Sequence, residues 1–104
     1  MAKVIVNAGV CGFTTEISSR SDNSVTALLD IVSECPAYAY LKESSLEFDA
    51  YACCFSKLGQ NKVYELFAET CLHAACVIPA AALKAIEVAC DLALPRDVSM
   101  TITK

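Results

Sequence analysis

The longest helical pattern in the chain follows a single proline, Pro79. Residues 80–90 are rich in good helix formers, and proline suits the first turn of a helix because its missing N–H would be unbonded there anyway. Apolar residues recur at helical spacing as far as Leu94, and Pro95 ends the pattern. The sequence therefore predicts one long amphipathic helix, whose apolar side must pack on another part of the chain.

Alternating strand patterns in the first third of the chain supply that surface. A β-branched run at 4–8 ends in a glycine-flanked turn, and residues 13–20 and 25–32 each alternate between apolar and polar side chains. Residues 98–103 alternate in the same way. The predicted fold class is α+β: an antiparallel three-stranded meander plus a C-terminal fourth strand, with helices packed on one face.

Shorter helices are predicted between the meander and the long helix. Pro36 can open one over residues 37–42. Asp49 can cap a second, short helix, and Asn61 can cap a third that continues to Thr70.

Composition bounds the class of protein. A chain of 104 residues fits a single domain, 1–104. A net charge of -4 with scattered Lys and Arg offers no basic stripe for nucleic acid, and no apolar run approaches the ~18 residues of a membrane span. Seven cysteines without a signal peptide favour reduced thiols. We therefore expect a cytoplasmic protein with neither a nucleic-acid partner nor a membrane partner.

Three of the cysteines lie at the ends of predicted elements. Cys11 lies in the glycine turn, Cys35 lies where the third strand gives way to a helix, and Cys76 lies just ahead of the long helix. A thiolate before a helix start is stabilised by the positive end of the helix dipole. If helix continues through 73–76, His73 faces the same side as Cys76 and can complete four ligands. The other cysteines fall in helical patterns and are interpreted as small apolar packing residues: Cys53, Cys54, Cys71 and Cys90.

Three functions fit this arrangement. The leading hypothesis is a metal or iron–sulfur binding protein that uses Cys11, Cys35 and Cys76, with His73 as a fourth ligand, and acts by binding rather than turnover. The first alternative is a thiol redox protein in which one of Cys35 and Cys76 attacks and the other resolves. The second is an interaction module or dimer with inert cysteines. The sequence contains no serine-hydrolase, zinc-protease or phosphate-loop motif.

The order of elements and the placement of cysteines resemble the IscU/NifU-type iron–sulfur cluster scaffold fold. That family has a cysteine and a glycine in the turn after its first strand, a second cysteine closing the third strand and a third beginning the long final helix. Cys11, Cys35 and Cys76 match these positions. The resemblance implies a scaffold that holds an iron–sulfur cluster and passes it to a protein partner. Zinc is another metal that three thiolates suit, and the chain is also compatible with a homo-oligomer. The chain departs from the family at Phe13, where the family has Asp, and at Ala75, where it has His.

Three short segments also resemble a group of small uncharacterised microbial proteins. They are Cys11-Gly12-Phe13, His73-x-x-Cys76-x-x-Pro79 and Lys84-Ala85-Ile86-Glu87-Val88. This second resemblance implies a family and no particular activity.

Overall fold

The structure, a computed structural model, describes residues 1–43 and 46–104 and contains a four-stranded antiparallel sheet with helices on one face. The strands are β1 (Ala2–Asn7), β2 (Thr14–Arg20), β3 (Thr26–Ser33) and β4 (Leu46–Asp49). The helices are α1 (Ala50–Cys54), α2 (Lys62–Ala68) and α3 (Ile78–Ala89), with short 3-10 segments at Gly9–Cys11 and Ala39–Glu43. The predicted α+β class is confirmed. Within the described ranges no helix is long and apolar enough to cross a membrane.

The sheet is a simple meander in which each strand pairs with the next in the chain. Ile17 lies opposite Val4 on one side and opposite Ile31 on the other. The predicted alternation holds, because Ile17 and Ile31 are buried while Glu16 and Asp30 are exposed. One face of the sheet therefore packs against the helices and the other faces solvent.

The fourth strand does not lie where the sequence predicted it. Residues 98–103 form no strand and their apolar side chains are exposed, so that prediction is wrong. The fourth place is taken by β4, in which Phe48 lies opposite Ala27 of β3. An alternating pattern shows that a segment can form a strand, but it does not show which strand the segment pairs with. The free edge of β3 pairs with β4, which follows it closely in the chain.

Helix α3 begins as predicted but ends earlier. Ile78 is its first residue and Pro79 lies in its first turn. It ends at Ala89 rather than near Leu94, because Asp91 has a φ of 59° and the chain turns away there. The predicted helix over 37–42 is also shorter, since residues 36–38 form a turn ahead of the 3-10 segment.

Small side chains cover the inner side of α3. Ala82 and Ala85 are fully buried, and Ile86 beside them is buried too. Since an alanine keeps the helix backbone close to its neighbour, α3 can lie near the sheet and pack against β1, β2 and β3. The larger side chains of the sheet and of the other helices fill the rest of the core.

Both predicted helix caps are confirmed. The Asp49 carboxylate accepts a hydrogen bond from the Ala52 backbone N–H at 3.1 Å and so caps α1. The Asn61 side chain accepts from the backbone N–H groups of Val63 and Tyr64, both at 3.0 Å, and so caps α2. These bonds satisfy donors that have no partner within the helix.

One end of the sheet carries the segments singled out by the sequence. Antiparallel pairing places the β1–β2 turn, which holds Cys11, at the same end as the last residues of β3, which lead to Cys35. The Ser24 hydroxyl, in the β2–β3 turn at the opposite end, donates to the Asp91 carboxylate just beyond α3 at 3.4 Å. Helix α3 therefore ends near the β2–β3 turn and begins toward the end that carries Cys11 and Cys35.

Candidate thiol site

A cavity of about 150 Å³ lies between α2, the start of α3 and the segment that follows β3. Two of the residues that line it are cysteines, and the others are mostly aromatic or small and apolar. The lining residues are Tyr38, Tyr64, Phe67, Ala68, Cys71, His73, Ala74, Cys76 and Pro79.

The two cysteines lie at opposite ends of the linker between α2 and α3. Cys71 follows the end of α2, and its backbone N–H donates to the Phe67 carbonyl at 3.0 Å. Cys76 lies two residues before α3, and its backbone N–H donates to the His73 carbonyl at 3.0 Å. The linker thus folds back on itself, and both thiols line the same cavity.

Tyr38 completes the thiol site from a distant part of the chain. Its side chain is buried, and its ring packs edge-to-face against Phe67 with a centroid separation of 5.0 Å and an interplanar angle of 81°. Its hydroxyl donates to Cys76 Sγ at 3.3 Å, and the Cys71 thiol lines the same cavity. Since a hydroxyl carries one proton, it can serve one sulfur at a time and can turn from one to the other.

The surroundings of Cys71 favour its thiolate. Burial by itself raises the pKa of the Cys71 thiol, but hydrogen bonds from Tyr38, from the His73 backbone N–H and from Cys76 outweigh that effect and lower the pKa. The His73 N–H lies 3.4 Å from Cys71 Sγ. Cys71 is therefore suited to act as a nucleophile.

Tyr38 keeps its proton under the same conditions. Burial raises the pKa of Tyr38 well above its usual range, and its hydrogen bonds to Cys71 and Cys76 add to the shift. The hydroxyl therefore keeps its proton and remains a hydrogen-bond donor to Cys76 Sγ.

Of the three predicted cysteines, Cys76 alone lines this cavity within the described part of the chain. Cys11 is exposed, and its Sγ lies 4.0 Å from the carbonyl oxygen of Ala8 in its own turn. Cys35 is half-buried against the core, and its carbonyl accepts the backbone N–H of Tyr38 at 3.0 Å. Cys35 thus helps to position Tyr38 and does not itself reach the cavity.

His73 lines the cavity but is not placed by a helix. Residues 73–76 form a turn rather than a helix, so the expected helical spacing between His73 and Cys76 is wrong. Its side chain is exposed. Across the residues that the structure describes, no group of three or more His, Cys, Asp or Glu side chains is arranged to hold a metal ion.

Sequence reasoning missed Cys71 and Tyr38. Helix α2 ends at Ala68 rather than Thr70, so Cys71 lies beyond the helix in which its pattern placed it. The available signal was a pair of cysteines at either end of a short linker that also contains a histidine. No local signal marks Tyr38, which reaches Cys76 across 38 residues of chain.

The remaining cysteines pack in the protein interior as interpreted. Cys53 and Cys90 are buried, and Cys54 is half-buried. Burial raises the pKa of Cys53, and burial with the nearby Glu87 carboxylate raises the pKa of Cys54 to about 12. The raised pKa values keep the Cys53 and Cys54 thiols protonated and make them poor nucleophiles.

A larger cleft of about 480 Å³ lies beside the β2–β3 turn. Its lining is polar and belongs to that turn and to the outer side of the sheet: Arg20, Ser21, Asp22, Asn23, Thr26, Leu28 and Glu47. Ser21 and Asn23 already bond to the backbone of the turn. The cleft follows from the shape of the turn, so we place the chemistry at the smaller cavity.

Fold and site together define a small α+β protein in which an antiparallel meander and its helices present a pair of thiols to a cavity. The sequence profile of a family of unknown function, DUF6951, matches residues 2–102, and the chain belongs to that family. No curated protein and no solved structure matches the chain.

Proposed function

We propose that the protein is a thiol redox protein in which Cys71 and Cys76 pass between the dithiol and the disulfide. The observation that carries this proposal is that Cys71, Cys76 and Tyr38 line one cavity, where the Tyr38 hydroxyl donates to Cys76 Sγ at 3.3 Å. The sequence alone also allowed a thiol redox function, with Cys35 and Cys76 as the reacting pair. The structure supports Cys71 in its place.

The two cysteines have different roles in the proposed cycle. Cys71 attacks first, because its thiolate is stabilised by hydrogen bonds. Cys76 resolves the product by attacking the sulfur of Cys71. In the complete step two electrons pass from the thiols to an external acceptor, one S–S bond forms and two protons are released. An external dithiol restores the reduced pair by thiol–disulfide exchange.

A redox titration tests this proposal. The protein is equilibrated in buffers that contain reduced and oxidised dithiothreitol in varying ratio, quenched with acid and alkylating reagent, and mapped by mass spectrometry. We expect one reversible two-electron transition that links Cys71 to Cys76.

Matched variants identify the pair. Cys71→Ser and Cys76→Ser should each abolish the transition, whereas Cys11→Ser, which removes an exposed thiol outside the cavity, should leave it unchanged. A disulfide between other cysteines, or none at any buffer ratio, would refute the proposal.

Binding of zinc or an iron–sulfur cluster is a second candidate function. Cys71, Cys76 and His73 line one cavity, although the described residues contain no group of three His, Cys, Asp or Glu side chains arranged to hold a metal ion. Thiolates and an imidazole together are donors that suit zinc, whereas an iron–sulfur cluster is typically held by four thiolates. An IscU/NifU-like scaffold that uses Cys11 and Cys35 as well, with transfer to a protein partner, belongs to the same candidate.

Metal analysis separates this candidate from the redox proposal. The protein is purified anaerobically, and its zinc, iron and acid-labile sulfide are measured. Metal lost in Cys71→Ser but kept in Cys11→Ser would support a zinc site at the cavity. Metal or sulfide lost in both variants would support the scaffold. Zinc, iron and sulfide at background level before and after reconstitution would count against the zinc site and the scaffold alike.

A further inference from the structure

We infer that the oxidant reduced at Cys71 is a small, uncharged hydroperoxide. This inference rests on the redox function proposed above and names the class of substrate for that site. It follows from the size of the cavity, the character of its walls and the donors around the sulfur.

The size of the cavity favours a substrate of few atoms. Both sulfurs are half-buried, and the space in front of them is about 150 Å³. Thiol–disulfide exchange requires the attacking, central and leaving sulfurs to come together, so a glutathione or protein disulfide would have to bring two bulky arms to a half-buried thiol. A hydroperoxide needs only its two oxygen atoms at the sulfur.

The walls of the cavity favour an uncharged substrate. Phe67, Tyr64 and Pro79 present aromatic and apolar surface. Among the described lining residues, His73 is the single side chain that can carry a positive charge. The carboxylates of a glutathione disulfide would find little to pair with, and the net charge of -4 opposes the approach of anions.

A hydrogen-bond donor lies at each of the two sulfurs: the Tyr38 hydroxyl at Cys76 and the His73 backbone N–H at Cys71. As the thiolate attacks one oxygen of the hydroperoxide, negative charge develops on the other oxygen, and donors already in place can stabilise it. The Tyr38 hydroxyl, which has one proton, therefore turns from the sulfur to the leaving oxygen in this step.

The reaction balances in two steps. The Cys71 thiolate attacks the terminal oxygen of ROOH, an S–O bond forms and the O–O bond breaks, and the released RO⁻ takes a proton from water. The product is a sulfenic acid at Cys71, oxidised by two electrons. Cys76 then attacks that sulfur, an S–S bond forms, and the hydroxide leaves with the thiol proton as water. A dithiol reduces the disulfide and closes the cycle.

A competition between oxidants tests the inference. Reduced full-length protein is mixed anaerobically with hydrogen peroxide or, separately, with glutathione disulfide at equal concentration, quenched by alkylation, and mapped by mass spectrometry. We expect hydrogen peroxide to oxidise Cys71 at least about tenfold faster than the exposed Cys11 in the same molecule. We also expect it to act faster than glutathione disulfide. In Cys76→Ser, dimedone should trap the sulfenic acid on Cys71.

Two results would overturn the inference. They are peroxide oxidation of Cys71 no faster than that of Cys11, and faster oxidation of Cys71 by glutathione disulfide than by peroxide. If either occurs while the dithiothreitol titration still yields the Cys71–Cys76 disulfide, the choice of substrate alone is wrong. Failure of the titration as well would remove the redox function.

Discussion

At the scale of single residues, Tyr38 joins the core to the cavity. Its buried ring packs against Phe67, and this packing fixes the position of the hydroxyl at Cys76 Sγ. A donor held in this way costs little entropy when a thiolate forms, because its position is set by packing. In the proposed redox cycle, Tyr38 would therefore couple the packing of the core to the reactivity of the thiols.

We predict that Tyr38→Phe slows the alkylation of Cys71 at neutral pH by roughly two- to tenfold, the value of one hydrogen bond to the thiolate. The variant keeps the ring packing and removes only the hydroxyl. The measurement is iodoacetamide labelling followed by mass spectrometry, with Tyr64→Phe as the control because Tyr64 lines the same cavity. Equal labelling in Tyr38→Phe and the unmodified protein would show that the hydroxyl does not stabilise the thiolate.

Cys54 gives a prediction about stability at high pH, because its pKa is raised whereas that of Cys71 is lowered. Its pKa is raised to about 12, whereas an unfolded cysteine titrates near ~8.5. Between these values the unfolded chain loses a proton that the folded chain keeps, so the free energy of unfolding falls as pH rises above about 8.5. We predict a shallower fall in Cys54→Ala, measured by urea unfolding from pH 7 to pH 10. Cys11→Ala, at an exposed thiol, should keep the full fall. If the free energy of unfolding fell equally with pH in Cys54→Ala and Cys11→Ala, the prediction would be contradicted.

At the scale of elements, the position of Cys71 depends on α2. The helix is short, and its N-terminus is held by the buried Asn61 side chain. Its last turn fixes Cys71 through the bond to the Phe67 carbonyl. Because a helix of this length is unstable alone, the cap and the packing of Phe67 must keep it formed.

We therefore predict that Asn61→Ala lowers the free energy of unfolding by about 1–2 kcal/mol, since it removes a cap with two hydrogen bonds. It should also weaken the preference for labelling Cys71 over Cys11. Asp49→Ala removes the exposed cap of α1 and should cost about 0.5–1 kcal/mol while leaving the labelling of Cys71 unchanged. Urea unfolding and peptide mapping measure both effects. An equal change in labelling for the two variants would mean that α2 does not position the thiol.

At the scale of the whole molecule, the segment after α3 is separate from the packed core. From Leu94 onward every residue is exposed, and the apolar side chains of 98–103 have no cover. The alternation in this segment is the pattern that led the sequence to predict a strand. In the structure this segment buries little apolar surface and so adds little to the free energy of unfolding.

Removal of residues 96–104 should leave the free energy of unfolding unchanged within about 0.5 kcal/mol, as is usual for exposed positions. Chemical denaturation and size-exclusion chromatography of both chains measure this. A loss of more than about 1 kcal/mol, or a smaller assembly after truncation, would show that the segment pairs with an exposed strand edge, either in the same chain or in a second copy as the predicted homo-oligomer would allow.

Patterns between near neighbours predicted much of the fold. The alternation of residues 13–20 and 25–32 predicted two strands with one buried face, and both are confirmed. Asp49 and Asn61 predicted helix starts, because a capping side chain acts within three residues of itself. The prediction of a fourth strand at residues 98–103 was wrong, because alternation does not show which segment reaches a free sheet edge.

The candidate site was predicted only in part. Cys76 was identified from its place ahead of α3 and lines the cavity. Cys71 was assigned to packing because the helix before it was expected to run two residues further. Cys11 and Cys35 lie at the expected ends of their strands, but a shared end of a sheet does not bring two side chains into contact. Their joint role as metal ligands with His73 stays a prediction.

By itself the sequence determined the three-stranded meander, the long C-terminal helix and the caps, because each depends on periodicity or on a bond between residues close in the chain. Only the tertiary structure decided which segment completes the sheet and which thiols meet. Tyr38 and Cys76 are 38 residues apart, and they come together because the core holds the Tyr38 ring while α2 and α3 fold their linker over it. A contact of that kind follows from how whole elements pack, which no local pattern of residues records.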